Sequence, residues 1–157
     1  MIPEKVKRVL DTHGLQAIEF EEGSTSTAQA AAEKLGVSVG QIAKSLLFSG
    51  KDGRFYMLLC PGDRKVSSSK LKAVIGVKSR MANGEETIRT TGFHPGGVCP
   101  FGVEGIDILV DESLKGYDTV YPAAGNSASG VPMTFDQLVN ITGARLCHCT
   151  EPMPGNR

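Results

Sequence analysis

Tryptophan is missing from this sequence, and tyrosine and histidine occur only three times each. So few histidines leave His13, His94 and His148 as the whole supply of imidazole bases, and none lies in a motif that marks it as one. Charge of one sign is also missing: 17 Lys and Arg balance 17 Asp and Glu. Proteins that grip long stretches of nucleic acid are usually basic, because phosphate contacts dominate their affinity. A neutral chain that meets RNA must hold a small part of it or use a local patch. No apolar run reaches the eighteen or so residues of a membrane span. The opening Met1-Ile-Pro-Glu-Lys-Val-Lys-Arg has no apolar stretch behind its charges, so no export signal is expected there. The four cysteines, Cys60, Cys99, Cys147 and Cys149, are therefore expected as reduced thiols in the cytoplasm.

What is present fits one soluble domain spanning 1–157: 40 % hydrophobic and 22 % charged residues are ordinary values. Glycine is abundant at 19 residues, much of it between Gly92 and Gly130. Periodicity and stop signals predict helices over 3–13, 28–35, 67–75, 84–91 and 135–141. Apolar runs of strand length cover 16–20, 42–48, 55–60, 77–81, 106–110, 119–121, 131–134 and 144–149. The loop Ser49-Gly-Lys-Asp-Gly53 makes the second and third of these a hairpin, and the tail from Pro152 is expected to fray. Without regular βαβ alternation, the class is α+β.

Three features carry candidate chemistry. Lys44, inside Ile42-Ala-Lys-Ser-Leu-Leu-Phe48, shares a predicted strand face with Ile42, Leu46 and Phe48. A lysine on an apolar face either snorkels to water or serves as a compact cation at a pocket wall. The loop 91–102 contains Gly96-Gly-Val-Cys-Pro100, a G-x-x-x-P pattern whose backbone N–H groups can cradle a carbonyl oxygen or oxyanion. It reads equally as a tight connection. Ala123-Ala-Gly-Asn-Ser-Ala-Ser-Gly130 approaches the serine nucleophile elbow, but Ser129 replaces its last glycine and no base is in view. It reads as a small, polar pocket wall.

Weaker signals have plainer explanations. Ser67-Ser-Ser-Lys70 reads as a capped helix start. Cys147-His-Cys149 lacks a second ligand pair at zinc spacing, and a strand would turn His148 away from both thiols. Arg64, Lys65, Lys70, Lys72, Lys78 and Arg80 read equally as a solvated face and as phosphate contacts.

In their order along the chain, these features resemble the YbaK/ProX-type editing family, related to the editing insertion of bacterial prolyl-tRNA synthetase. The carrying segments are Gln41–Phe48, Thr91–Gly102, Tyr121-Pro-Ala-Ala-Gly-Asn126 and Phe135–Gly143, and the likeness runs from about Val6 to Glu151. The resemblance implies a mixed, β-barrel-like sheet flanked by helices and metal-independent deacylation of mischarged aminoacyl-tRNA. The substrates implied are small amino acids such as Cys or Ala, on the proline tRNA or a related one. No cofactor is implied. Lys44 matches the family's essential lysine. Gly96, Gly97, Val98, Cys99 and Pro100, with Gly125 and Asn126, match the parts that hold the aminoacyl-adenosine end. Implied partners are the 3′ aminoacyl end of tRNA and an aminoacyl-tRNA synthetase. The family is thought to use the terminal ribose hydroxyl and a bound water rather than a side-chain nucleophile. Cys99 departs from the serine or proline of many relatives, and an acidic residue that some carry after the 125–130 loop is absent. The competing class is a non-catalytic RNA- or protein-binding module on the same fold, which a cleft blocked by Phe48 or Phe101 would favour.

Overall fold

The computed structural model describes residues 1–154. Five α-helices form, four of them on apolar spacing and four of them opened by a side-chain cap. α1 (Glu4–Thr12) turns Val6 and Leu10, four residues apart, into the core. α2 (Ala28–Leu35) is capped by the Thr27 hydroxyl, which accepts from the Ala30 N–H at 3.1 Å. α3 (Ser68–Ile75) starts on Ser67. α4 (Gly84–Thr91) and α5 (Phe135–Thr142) each open with a capping box, Asn83 with Glu86 and Thr134 with Gln137. α2 to α5 stop at Gly36, Gly76, Gly92 and Gly143, all left-handed, where a side chain would be strained.

The hairpin of β2 (Ala43–Gly50) and β3 (Phe55–Pro61) is the centre of the molecule. β5 (Ser79–Met81) adds antiparallel to the far end of β2, while β6 (Ile106–Asp111) and β8 (Arg145–Cys147) add parallel beyond β3. The order is β5-β2-β3-β6-β8, a mixed sheet with two free edges. It is therefore open, which corrects the barrel-like form expected from the sequence. Alternation splits the hairpin between two apolar layers. Ala43, Leu47, Met57 and Leu59 meet α1, Phe93, Phe101 and Leu138 in the main core, and Phe48, Tyr56 and Leu58 meet Leu71 of α3 and the buried Cys147 and Cys149. Two small antiparallel pairs flank the sheet: β1 (Ile18–Glu19) with β7 (Ser129–Gly130), and β4 (Arg64–Val66) with β9 (Thr150–Pro152). Among the described residues no helix is long and apolar enough to cross a membrane.

Several expected strands changed. The run expected over 144–149 shortens to β8, and β9 follows it at Thr150–Pro152; at the turn between them the buried Asp111 carboxylate accepts the Cys149 N–H at 2.7 Å and the Thr150 hydroxyl at 2.9 Å. That turn draws the chain away from β6 to pair with β4. Pro152 thus lies opposite Arg64 instead of fraying, and residues 155–157 lie outside the described residues. The segments 119–121 and 131–134 meet only at the Val120–Met133 bridge, and Tyr121 bridges to Ile42. β4 and the 3-10 turn at 112–116 carry too little apolar pattern to be predicted.

Candidate active site

β2 ends its sheet pairing early on its outer side, and that defect makes a cleft. Gly50 and Arg54, and Ile42 and Gly62, are hydrogen-bonded across the hairpin, so even-numbered residues of β2 direct their backbone groups at β3. Odd-numbered residues face outward. The Ala43 N–H donates to the Tyr121 carbonyl at 3.1 Å, and the Leu47 carbonyl accepts from the Ala82 N–H at 2.9 Å. Between those two anchors, the N–H and C=O of Ser45 face outward with no strand against them. The gap is a cleft of about 230 Å³, walled by Ser26 and Thr27, by Ala31 and Leu35 of α2, and by Tyr121 and Ala123.

Lys44 lines this cleft. It shares a sheet face with Leu46 and Phe48, as alternation predicts, and is half-buried. Its Nζ donates to the Arg64 carbonyl at 2.8 Å, which fixes the ammonium and leaves donors over. Arg64 is itself held by donating from Nε to the Thr150 hydroxyl at 2.7 Å.

The glycine loop reaches the cleft only in part. Gly96 and Val98 line it. Gly97 lines a neighbouring depression of about 490 Å³ with His94, Gly125 and Asn126. Its N–H donates to the His94 carbonyl at 3.0 Å, so that amide closes a turn and is not a free donor. Cys99 and Pro100 are buried beneath the loop; Cys99 belongs to the main core, and burial pushes its thiol up to about 12. Asn126 ties its loop to the start of the chain: Nδ2 donates to the Met1 carbonyl at 2.9 Å, and Oδ1 accepts the Ala128 N–H at 3.0 Å. The two loops meet backbone to backbone, since a Cβ on Gly97 would lie 2.6 Å from the Asn126 Cα.

The serine-rich segment is a wall. Ser129 accepts from the Ala124 N–H and donates its own N–H to the Thr25 hydroxyl, both at 3.1 Å. No histidine lines the cleft beside it. His148 pairs with Glu112, while Cys147 and Cys149 are buried. Among the described residues, no group of three or more His, Cys, Asp and Glu side chains is placed to hold a metal ion. Phe48 and Phe101 are buried in the two apolar layers and line neither wall, so the cleft is not blocked. Thr25, Thr27 and Ser45 were invisible as site residues in the sequence; only the register of β2 and the seating of α2 bring them in. The arrangement offers a cation, an outward-facing backbone donor and acceptor, and walls that mix alanines with Leu35, Ile42 and Tyr121. It offers no nucleophile–base pair.

The model of a family described as aminoacyl-tRNA editing domain matches residues 22–141. The chain is 40 % identical over 129 residues to the uncharacterized protein YwhH of Bacillus subtilis strain 168, covering 82 % of each. It is 41 % identical over 90 residues to the proline–tRNA ligase of Thermosipho africanus, covering 57 % of this chain but 16 % of the ligase. A crystal structure of a candidate trans-editing enzyme for prolyl-tRNA synthetase superposes with a TM-score of 0.85 at 35 % identity, covering 96 % of this chain and 99 % of that one.

Proposed function

The chain belongs to the aminoacyl-tRNA editing domain family, and on that footing we propose that it hydrolyses, in trans and without a metal, the ester of tRNA mischarged with a small amino acid such as Cys or Ala, the tRNA being that for proline or a related one. The observation that carries the reading is the half-buried Lys44 lining a cleft of about 230 Å³. That volume is below the roughly 300–1,000 Å³ of ordinary small-molecule sites, so it suits a short side chain.

The chemistry needs little more than placement. A tRNA ester is already activated, and water attack on its carbonyl gives a tetrahedral oxyanion that collapses by expelling the ribose oxygen, which takes up a proton. Lys44 supplies positive charge to the carbonyl oxygen as it becomes an oxyanion, and such pre-placed donors contribute on the order of 100- to 1,000-fold in rate. The outward N–H and C=O of Ser45 suit the acyl end, the C=O accepting from the α-ammonium. Gly96 and Val98 bound the adenosine side. Gly97, Gly125 and Asn126 act from behind by holding the two loops together, and Cys99 and Pro100 by anchoring the loop in the core. A size-limited hydrolytic site answers a real need, because one methylene gives a synthetase only about 1–3 kcal/mol of discrimination. The neutral charge of the chain leaves room for a synthetase partner that delivers the tRNA in the cytoplasm.

The test is deacylation of a panel of correctly and wrongly charged tRNAs, with EDTA present throughout. Release of one small amino acid is expected, reduced at least 100-fold in Lys44→Ala. No release from any ester by the folded protein overturns the reading in favour of a binding module. Release that EDTA abolishes overturns its metal-independent part.

A further inference from the structure

The basic residues of the sequence do not act as one segment. Arg64 and Lys65 turn to β9, where Lys65 pairs with Glu151 at 3.8 Å. Lys72, Lys78 and Arg80 instead converge with Lys51, a residue distant from them in sequence, on a cleft of about 620 Å³ between α3 and the β2–β5 end. The pairing of Ser49 with Arg80 and Gly50 with Ser79, and the Lys51 N–H donating to the Lys78 carbonyl at 2.8 Å, bring these elements together. Ser49, Ser68, Ser69 and Ser79 complete the lining, and no acidic residue contributes to it. Arg80 is neutralised by a two-point contact with Glu86, at 2.7 and 2.9 Å. Lys51, Lys72 and Lys78 are exposed and make no ion pair among the described residues. In a chain of zero net charge, three lysines without an ion pair around one hydroxyl-lined cleft make a local patch of positive charge.

We propose that this cleft binds the phosphate backbone of the RNA whose 3′ ester occupies the Lys44 cleft. The inference rests on the proposed function for the identity of the RNA. Lys44 and Gly50 lie on the same face of β2, six residues apart, which is about 20 Å at roughly 3.3 Å per residue. That distance is spanned by a few nucleotides of single-stranded RNA. A substrate held at Lys44 by its terminal ester carries, covalently attached, a chain of phosphates of suitable reach. No other polyanion is delivered to this face by the chemistry of the neighbouring cleft. The site therefore lets a neutral protein hold RNA without a basic surface.

The experiment uses an uncharged acceptor-stem RNA hairpin with a single-stranded 3′ end, titrated by fluorescence anisotropy at several salt concentrations. The triple variant Lys51→Ala/Lys72→Ala/Lys78→Ala is expected to raise Kd on the order of tenfold or more. It is also expected to lower the slope of log K against log salt by about 2, from roughly 0.7–0.9 per phosphate contact. A control with equal charge removed elsewhere, Lys7→Ala/Arg8→Ala/Lys115→Ala, should keep the wild-type slope. In turnover, the cleft variant should lose kcat/KM on charged tRNA through KM while hydrolysing aminoacyl-adenosine at the wild-type rate. An unchanged Kd and slope in the folded cleft variant overturns the site. The two readings fail separately. Lysine-dependent hairpin binding by a protein that cleaves no ester sinks the deacylase and leaves the phosphate site standing. Ester cleavage indifferent to the three lysines does the reverse.

Discussion

Gly97 is where packing and the proposed chemistry are most tightly joined, so Gly97→Ala is the sharpest perturbation of the reasoning. Its φ is not in the left-handed region, so alanine is allowed by the backbone and the cost comes from space alone. The added Cβ would lie 2.6 Å from the Asn126 Cα, 2.7 Å from its carbonyl carbon and 2.9 Å from its nitrogen. These are backbone atoms and cannot rotate aside. Asn126 is also pinned by its bonds to Met1 and Ala128, so the whole turn must move. Overpacking of this kind costs about 1–3 kcal/mol. Restricting the unfolded chain returns about 0.4–1 kcal/mol. At mid-range the net loss is about 1.3 kcal/mol, or a Tm lower by about 3–5 °C for a chain of this size. The displaced turn shifts Gly96 and Val98, so kcat/KM for deacylation should fall on the order of 10- to 100-fold. Gly116→Ala is the matched control: nothing lies within 4 Å of its Cβ position and its φ is ordinary. It should equal wild type or gain about 0.4–1 kcal/mol. Calorimetry of both variants decides the matter. A Gly97→Ala protein as stable and as active as Gly116→Ala would refute the close approach of the two loops.

Asp111 tests the junction that sends the chain from β8 to β9. Burial opposes its charge, but hydrogen bonds from Ser113, Cys149 and Thr150 outweigh that and hold its carboxyl below the usual range. Asp111→Ala leaves two buried donors unpaired, at about 1–3 kcal/mol each, so a loss of about 3 kcal/mol is expected in urea unfolding. Because the folded value is depressed, this stability is complete above the unfolded pKa of about 4 and fades as pH falls below it. The Tm difference between wild type and Asp111→Asn should therefore narrow in acid, and a constant difference from pH 6 to pH 2 contradicts the assignment. Glu86 behaves alike: the Arg80 guanidinium draws its carboxyl down to about 2, so their contact persists to lower pH than an ordinary carboxylate allows. Burial pushes the Cys60 and Cys99 thiols up to about 12. Both should resist alkylation at pH 8 in the native protein and react once it is unfolded, as mass spectrometry can read.

Much of the fold was legible in the chain because local signals agreed with one another. Four of the α-helices had an apolar period, the polar α4 had its capping residues, and α2 to α5 each had a glycine stop; the β2–β3 hairpin had two apolar runs around Ser49-Gly-Lys-Asp-Gly53. Lys44 stood out because a cation on an apolar strand face is costly unless placed for a purpose. The short pairings were not legible. β4, β7 and β9 span three residues or fewer, and their partners lie far away in sequence, so no periodicity can develop.

The cleft depended on facts that no local pattern carries. Which residues of β2 face outward was set by register with β3, and a shift of one residue would have turned Ser45 inward. That β5 stops at Phe48 on β2 and Tyr121 stops at Ala43, leaving the gap, is a property of three separated segments. The sequence by itself determined the order of the helices and the longer strands, the two-faced hairpin and the lysine within it. Tertiary structure alone decided which parts of the glycine loop line the cleft, that Asn126 ties its loop to Met1, and that Lys51 joins Lys72 and Lys78 at the second cleft. The physical reason is range: helix and strand periods are written within a dozen residues, whereas a site is made by register and packing between segments scattered along the chain.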